Sequence, residues 1–471
     1  VLFNSFQFIL VFLPLVLLIF AGLARWQGRR AVLAFLTLAS LVYYGWWNWK
    51  YLCLIAFSIL FNFFWGRLLQ SKGPDGRPMG SGWGRSILAA GIAVNVGLLG
   101  YFKYAGFLVG TLDGALGLGW RIPSIVLPLG ISFFTFEQIA YLVDAYRAES
   151  PGHEFLGYGL FVTFFPHLIA GPIVRPRELL PQFSEPRTFV PSAADLSTGL
   201  FVFAIGLFKK VILADTFGGW VGPIFDQTPV ASFSDAWGAA LAFGLQVYFD
   251  FSGYSDMAIG LAGMLNIRLP ENFDSPYKAT SIIEFWRRWH MTLSGFLRDY
   301  VFYPLTGIRG GPVRRYAALV FTMLLCGLWH GANWTFVVFG GLHGAYLTVN
   351  HLWRRLKIPL PLVFCWLLTF VAVLVSFVFF RAPSFARAGV ILKGMMGLGG
   401  FAWNPTANSL GKHAFKRLAA GLIMVTCCPN RQEIMQWRWE SDFVYAVAFA
   451  LVAGISILQL SNPAPFVYFQ F

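Results

Sequence analysis

Two short islands hold the side chains best suited to chemistry. They read Phe285-Trp286-Arg287-Arg288-Trp289-His290 and Leu328-Trp329-His330-Gly331-Ala332-Asn333-Trp334. Each sets a histidine among tryptophans, and both interrupt a chain dominated by long apolar stretches. A charge at the bilayer centre costs about 2.5–3.5 kcal/mol on insertion scales, so ionisable residues kept there usually mark function. Imidazole can sit neutral at such depth and still accept a proton or attack a carbonyl. The pair points to a reaction centre inside a membrane.

The elements around these histidines are less apolar than a lipid-facing span. Residues 281–300 read as one amphipathic helix, in which Glu284 and Arg288 stand one turn apart and pair. Interfacial arginines and an aromatic belt account for most of that segment, but not for His290 beside Trp289. Around His330 the glycines Gly327, Gly331, Gly340, Gly341 and Gly344 read as close helix packing, in which His330 and His343 could both bond across helices, although the depth of His330 points to the reaction centre. A third segment, Gln246 to Asp256, carries Asp250, Ser252, Tyr254 and Asp256. Asp250 lies one turn from Tyr254, and Ser252 one turn from Asp256. The acids read as a proton relay, a cation site, groups that orient a histidine or arginine, or a helix-packing network that includes Arg287 or Arg288, and support of the site is favoured over direct chemistry. Asn272 falls in a connecting loop. His153, His351 and His413 read as surface groups, and His167 stays unassigned. Two distant histidines are too few ligands for zinc, and no metal is expected.

Composition agrees with a membrane setting. The 471 residues are 57% hydrophobic, 18% aromatic and 12% charged; a soluble domain carries about a quarter charged residues. The net charge of +14 reads as Lys and Arg at cytoplasmic loops and anionic headgroups, not as a nucleic-acid surface. The five cysteines show no metal or redox spacing; Cys427 and Cys428 read as small buried residues. The first apolar segment lacks a basic leader and cleavage site, so it is expected to be a retained helix. Candidate spans are roughly 4–24, 31–48, 50–68, 86–104, 124–144, 155–171, 197–215, 234–264, 316–333, 333–352, 359–380, 415–428 and 443–461. The fold class is therefore all-α and polytopic, with about 11–13 transmembrane or re-entrant helices in one domain over 1–471. Arg25, Arg29 and Arg30, then Arg67, Lys72, Arg77 and Arg85, put two loops in the cytoplasm and the N-terminus outside. Pro123, Pro128 and Gly130, then Pro166, Gly171, Pro172, Pro176 and Pro181, break the helical pattern. Broken backbone at membrane depth needs protein or a water-filled cavity around it, so a central funnel or tunnel is expected. Residues 173–191 read as a surface loop or short interfacial helix.

Four of these segments, in order, resemble the membrane-bound O-acyltransferases: Pro128–Phe136, Asp250–Asp256, Glu284–Tyr300 and Leu328–Trp334. The likeness is strongest to the bacterial branch that contains the membrane subunit of alginate O-acetylation, and it extends to Phe3-Asn4-Ser5 and to the ending Phe466–Phe471. It covers nearly the whole chain, with a catalytic core near 125–350. The resemblance implies the family's funnel-like fold and an acetyl group taken from cytoplasmic acetyl-CoA. It implies passage of that group to an exopolysaccharide through periplasmic serine-dependent acetyltransferases or the secretion machinery, at a bacterial inner membrane. The defining histidine maps onto His330 and the second motif position onto His290. Arg287 and Arg288 are then expected to hold donor phosphates, and Trp286, Trp289 and Trp329 to exclude water. Asn333, Asp250, Ser252, Tyr254 and Asp256 support the site. His330 acts as general base or as nucleophile; the residues fit both. Close variants modify cellulose or peptidoglycan, or transfer D-alanine to teichoic acid. A proton-coupled transporter would show repeat symmetry, which the sequence lacks. A scaffold without catalysis would tolerate loss of His330.

Overall fold

The computed structural model describes residues 2–71, 82–120, 122–149, 154–307, 310–401, 413–437, 442–460 and 464–467. The expectations for Lys72, Arg77 and His153, and for most of the 466–471 ending, lie outside these. Among the described residues the regular structure is helical throughout, with no β-strand. Five helical runs there are long and apolar enough to cross a bilayer: Phe8–Trp26, Arg29–Gln70, Gly82–Leu116, Ala193–Gln227 and Leu362–Arg381. Large apolar side chains such as Leu18 and Leu362 are exposed on them, as lipid-facing surface requires. The run Arg29–Gln70 turns at Asn48, whose side chain accepts the Lys50 N–H in a short 3-10 turn. It therefore holds two of the expected spans, with Lys50 at the turn between them. The chain is a multi-pass helical membrane protein.

Two compact units divide it: Val1–Phe203 with Ser255–Pro270, and Ala204–Tyr254 with Glu271–Phe471. The first has an aromatic core in which the rings of Phe3, Phe8, Phe12, Tyr43 and Phe165 pack at 4.9–5.8 Å. Polar groups buried there are bonded to one another, as burial demands. Asn62 and Asn95 exchange amide bonds at 3.1 and 2.7 Å, and Gln138 links Ser58 to Tyr158. His167, unassigned from sequence, is fully buried with Nδ1 3.0 Å from Glu137. The breaks expected from proline and glycine are present, and they shorten two expected spans. Residues 124–130 are not helical, because Gly130 takes φ +73° just before helix Ile131–Tyr146. A second helix ends at Thr163 instead of continuing to 171, since Phe164 leaves helical geometry and turns follow. Within 173–191 a short amphipathic helix forms, Pro176–Ser184, with Leu179, Leu180 and Phe183 buried.

The second unit is built on a hairpin of helices Pro312–His330 and Trp334–Leu356. Two of its glycines are required by contact: a Cβ on Gly327 would collide with the Phe336 carbonyl, and one on Gly340 with that of Met323. The backbones thus pack at glycine-only distance, and His330 ends the first arm. Helix Leu362–Arg381 lies against the second arm. The cysteine expectation is corrected here: Cys427 and Cys428 are exposed, because they end helix Ala414–Cys427, while Cys326 is buried.

Candidate active site

The segment read as one helix over 281–300 is two. Helix Ile282–Arg288 starts at Ser281, whose hydroxyl caps the Glu284 N–H, and stops as Trp289 becomes extended. His290 then takes a left-handed conformation, φ 43° and ψ 53°, before helix Met291–Leu297 begins. This conformation is uncommon for a residue with a Cβ and costs about 1–2 kcal/mol. It is maintained by bonds on both sides: Met291 N–H donates to the Asn272 carbonyl, and Ser294 N–H to that of His290, each at 2.9 Å. The break swings the imidazole off the helix surface and into the interior, where it is fully buried.

Inside, the two histidines named from sequence meet. Their ring centroids are 6.4 Å apart, and the Trp329 ring lies 6.0 Å from His290 and 5.0 Å from His330. His290 stands edge-on to Phe251 at 4.6 Å, and its Nδ1 is 3.1 Å from Asn272 Oδ1. His330 is 4% exposed, with Phe380 and Phe339 at 5.1 and 5.9 Å. Cys326 Sγ, one turn earlier, lies 3.9 Å from His330 Nε2. The two imidazoles thus lie side by side within one aromatic cluster.

Trp289 belongs to the same cluster, packed on Phe273 at 5.1 Å and on Phe285 and Phe377 at 5.5 Å. Trp286 has a different task. Its indole N–H donates to His343 Nδ1 at 3.1 Å, which leaves the imidazole proton on Nε2, 2.9 Å from Ser376 Oγ. The Ser376 hydroxyl in turn donates to the Val373 carbonyl at 2.7 Å. Every donor in that chain has an acceptor, so His343 is a cross-helix tie, as the glycine-rich packing suggested.

The remaining sequence candidates lie elsewhere. Arg288 bonds Glu284 at 3.1 Å and the Asp274 carbonyl at 3.2 Å, pinning the helix to the preceding loop. Partial burial pushes the Glu284 carboxyl up, but bonds from Thr280 and Arg288 outweigh it and hold it below its ordinary value. Arg287 is exposed. Asn333 caps the second hairpin arm, accepting from Thr335 N–H and donating to the Pro383 carbonyl. Asp250 faces Lys210 at 2.8 Å and accepts the Val467 N–H at 2.9 Å, so its partner is neither a histidine nor an arginine. Tyr254 packs on Phe466 at 4.4 Å. Ser252 is buried, and its hydroxyl has no hydrogen-bond partner among the described residues. Asp256, although on the same helix Phe233–Met264, falls in the first compact unit.

Sequence reasoning missed Asn272 and Lys210. Lys210 did carry a signal, a lysine inside an apolar run; Asn272 carried none. A cleft also opens on this unit, lined by Trp286, Arg298, Arg315, Tyr316, Met323 and His351 among others. His351 sits there in the field of Arg315, Arg354, Arg355 and Arg287. It is half-buried rather than a plain surface group.

Comparison with known proteins gives the family. Residues 30–390 match the model of the membrane-bound O-acyltransferase family. A peptidoglycan O-acetyltransferase of Helicobacter pylori is 37% identical over 100% of this chain and 97% of its own. A probable alginate O-acetylase of Azotobacter vinelandii is 40% identical over 100% of both chains. A teichoic acid D-alanyltransferase of Streptococcus thermophilus is 30% identical over 49% of this chain and 58% of its own. The chain belongs to the membrane-bound O-acyltransferase family and is an O-acyltransferase.

Proposed function

We propose that this O-acyltransferase takes acetyl from acetyl-CoA at the cytoplasmic face of a bacterial inner membrane and passes it outward for O-acetylation of an exopolysaccharide of the alginate type. Periplasmic acetyltransferases would complete the transfer. The observation that carries the reading is the meeting of His290 and His330, buried and 6.4 Å apart between tryptophan and phenylalanine rings. A hydroxyl held beside the two rings can give its proton to an imidazole while its oxygen attacks the thioester carbonyl. The C–S bond then breaks, and the imidazolium returns the proton to the departing thiolate. Water is the competing nucleophile, and the aromatic cluster keeps it out.

The donor's route follows the first hairpin arm. Thr322 and Met323 line the cleft, Cys326 stands one turn further, and His330 one turn beyond that. The rise from Met323 to His330 is about 10 Å at 1.5 Å per residue. Arg315 and His351 at the cleft suit phosphate oxygens, while Arg298 there is paired with Asp299 at 2.7 Å. With a volume of about 200 Å³ the cleft holds one end of such a donor. Arg287 fits this mouth, through its field on His351, whereas Arg288 is committed to Glu284 and Asp274. The relatives named for alginate and peptidoglycan acetylation support acetyl as the group.

Purified protein incubated with radiolabelled acetyl-CoA and an alginate oligosaccharide as hydroxyl acceptor tests the reading. Label retained on the wild type and lost in His330→Ala supports an acetyl-imidazole route. Transfer without retained label supports general-base catalysis. No consumption of acetyl-CoA contradicts the donor.

A further inference from the structure

We propose that Asn272 is a positioning residue that fixes the tautomer of His290, holding the proton on Nδ1 and making Nε2 the proton-accepting end. The kinetic part of this inference rests on the function proposed above; the tautomer itself rests on geometry. Asn272 is 1% exposed, and its Oδ1 takes three contacts. Thr292 Oγ lies at 2.9 Å, Thr292 N at 3.4 Å, and His290 Nδ1 at 3.1 Å. A backbone N–H can only donate, so the amide atom it meets is the oxygen. That oxygen can only accept, so His290 Nδ1 must carry the proton. A neutral imidazole with Nδ1–H has its lone pair on Nε2, at the far side of the ring from Asn272.

The loop that presents Asn272 is braced on both flanks. Glu271 pairs with Arg431 and accepts from Gln432 at 2.8 Å. Asp274 accepts from Asn430 at 2.9 Å and gives its N–H to the Arg288 carbonyl at 2.9 Å. These bonds fix where the amide oxygen stands, and the left-handed backbone at His290 fixes where the ring stands. A side chain that merely filled space would need neither. The relation resembles the orienter in a hydrolytic triad, which acts through the tautomer and position of its histidine.

The test uses full-length protein in nanodiscs, with Asn272→Leu and Asn272→Asp. In protein labelled with 15N-histidine, with the His290 signals identified by their loss in His290→Gln, the wild type is expected to show Nδ1 protonated and Nε2 unprotonated. Asn272→Leu is expected to move the proton to Nε2 or to mix the two forms. A wild-type His290 protonated on Nε2 overturns the proposal. In acetyl-CoA turnover, Asn272→Leu is expected to lower kcat about 10–100-fold, as lost outer partners do, with the donor KM within twofold. Asn272→Asp keeps the acceptor and adds a charge that favours the imidazolium, so it should recover part of kcat. It should also move the acid limb of the pH profile up by about a unit or more. The titratable groups facing His290 are His330 and, through it, Cys326; the helix bearing Phe251 adds Asp250, already paired with Lys210. None of these changes in the variants. Equal loss in both variants with an unmoved profile, or wild-type turnover in Asn272→Leu, overturns the proposal. If the wild type consumes no acetyl-CoA, the proposed function fails, and the labelling spectrum still decides the tautomer.

Discussion

Lys210→Met should be among the most damaging single substitutions away from the histidines. Lys210 and Asp250 are each 1% exposed, with Nζ 2.8 Å from Asp250 and 2.6 Å from Asp215. Asp250 also accepts the Val467 N–H at 2.9 Å, and Lys210 lies 5.4 Å over the Phe466 ring. One cation therefore holds two carboxylates, and one of these carboxylates holds the 464–467 segment. Removing a single partner of a buried pair costs about 3–5 kcal/mol, because the stranded charge stays desolvated. Lys210→Met strands two carboxylates and belongs at the upper end of that range. Asp250→Asn leaves Lys210 with Asp215 and keeps an acceptor for Val467, so about 1–2 kcal/mol is expected. The double variant Lys210→Met/Asp250→Asn removes both charges of that pair, and its cost should fall short of the sum of the two single variants by about 2 kcal/mol or more. Thermal unfolding of the purified variants, followed by tryptophan fluorescence, gives all three values. Additivity within about 0.5 kcal/mol, or a Lys210→Met variant that melts like the wild type, would refute the reasoning. Activity should fall in parallel, since Phe251, the next residue after Asp250, packs on His290 at 4.6 Å.

Three further outcomes are expected. Gly327→Ala, which drives a Cβ into the Phe336 carbonyl, should cost about 1–3 kcal/mol or more and reduce transfer. Gly341→Ala meets only Leu324 at 3.5 Å and should be tolerated; comparable melting of the two variants would contradict the hairpin packing. Arg315→Ala should raise the acetyl-CoA KM about 5–10-fold at low salt with kcat unchanged, the mark of lost uniform binding, and the difference should shrink in high salt. A fall in kcat alone would contradict it. The Glu284 carboxyl is held below its ordinary value, so its stabilising contribution is present above about pH 4.3, the unperturbed value, and is lost as pH falls through the lower folded value. Glu284→Gln should melt lower than the wild type at pH 7, with the gap closing in acid; a constant gap would contradict the assignment.

Much of this was legible in the residues themselves, because apolar length, proline and glycine act locally. The breaks near Gly130 and after Thr163, the glycine hairpin and the Glu284–Arg288 pair all follow from spacing. The split of 281–300 at His290 did not, since a left-handed histidine needs no glycine and announces itself by no pattern. Both histidines could be named, but their meeting depends on that split. Asn272 reads as a loop residue until the fold brings its amide to His290. Asp250 was recognised as a buried acid needing a partner, but that partner, Lys210, sits on a distant helix, and contact between distant segments leaves no periodic trace.

The most direct test is a single-turnover assay of thiol release from acetyl-CoA, with an alginate oligosaccharide present as the hydroxyl acceptor, by purified wild type and His330→Ala, with matched melting curves to show both are folded. A buried imidazole that handles the activated ester predicts rapid release by the wild type and release at the buffer rate by His330→Ala. A folded His330→Ala protein that cleaves acetyl-CoA at the wild-type rate would contradict it.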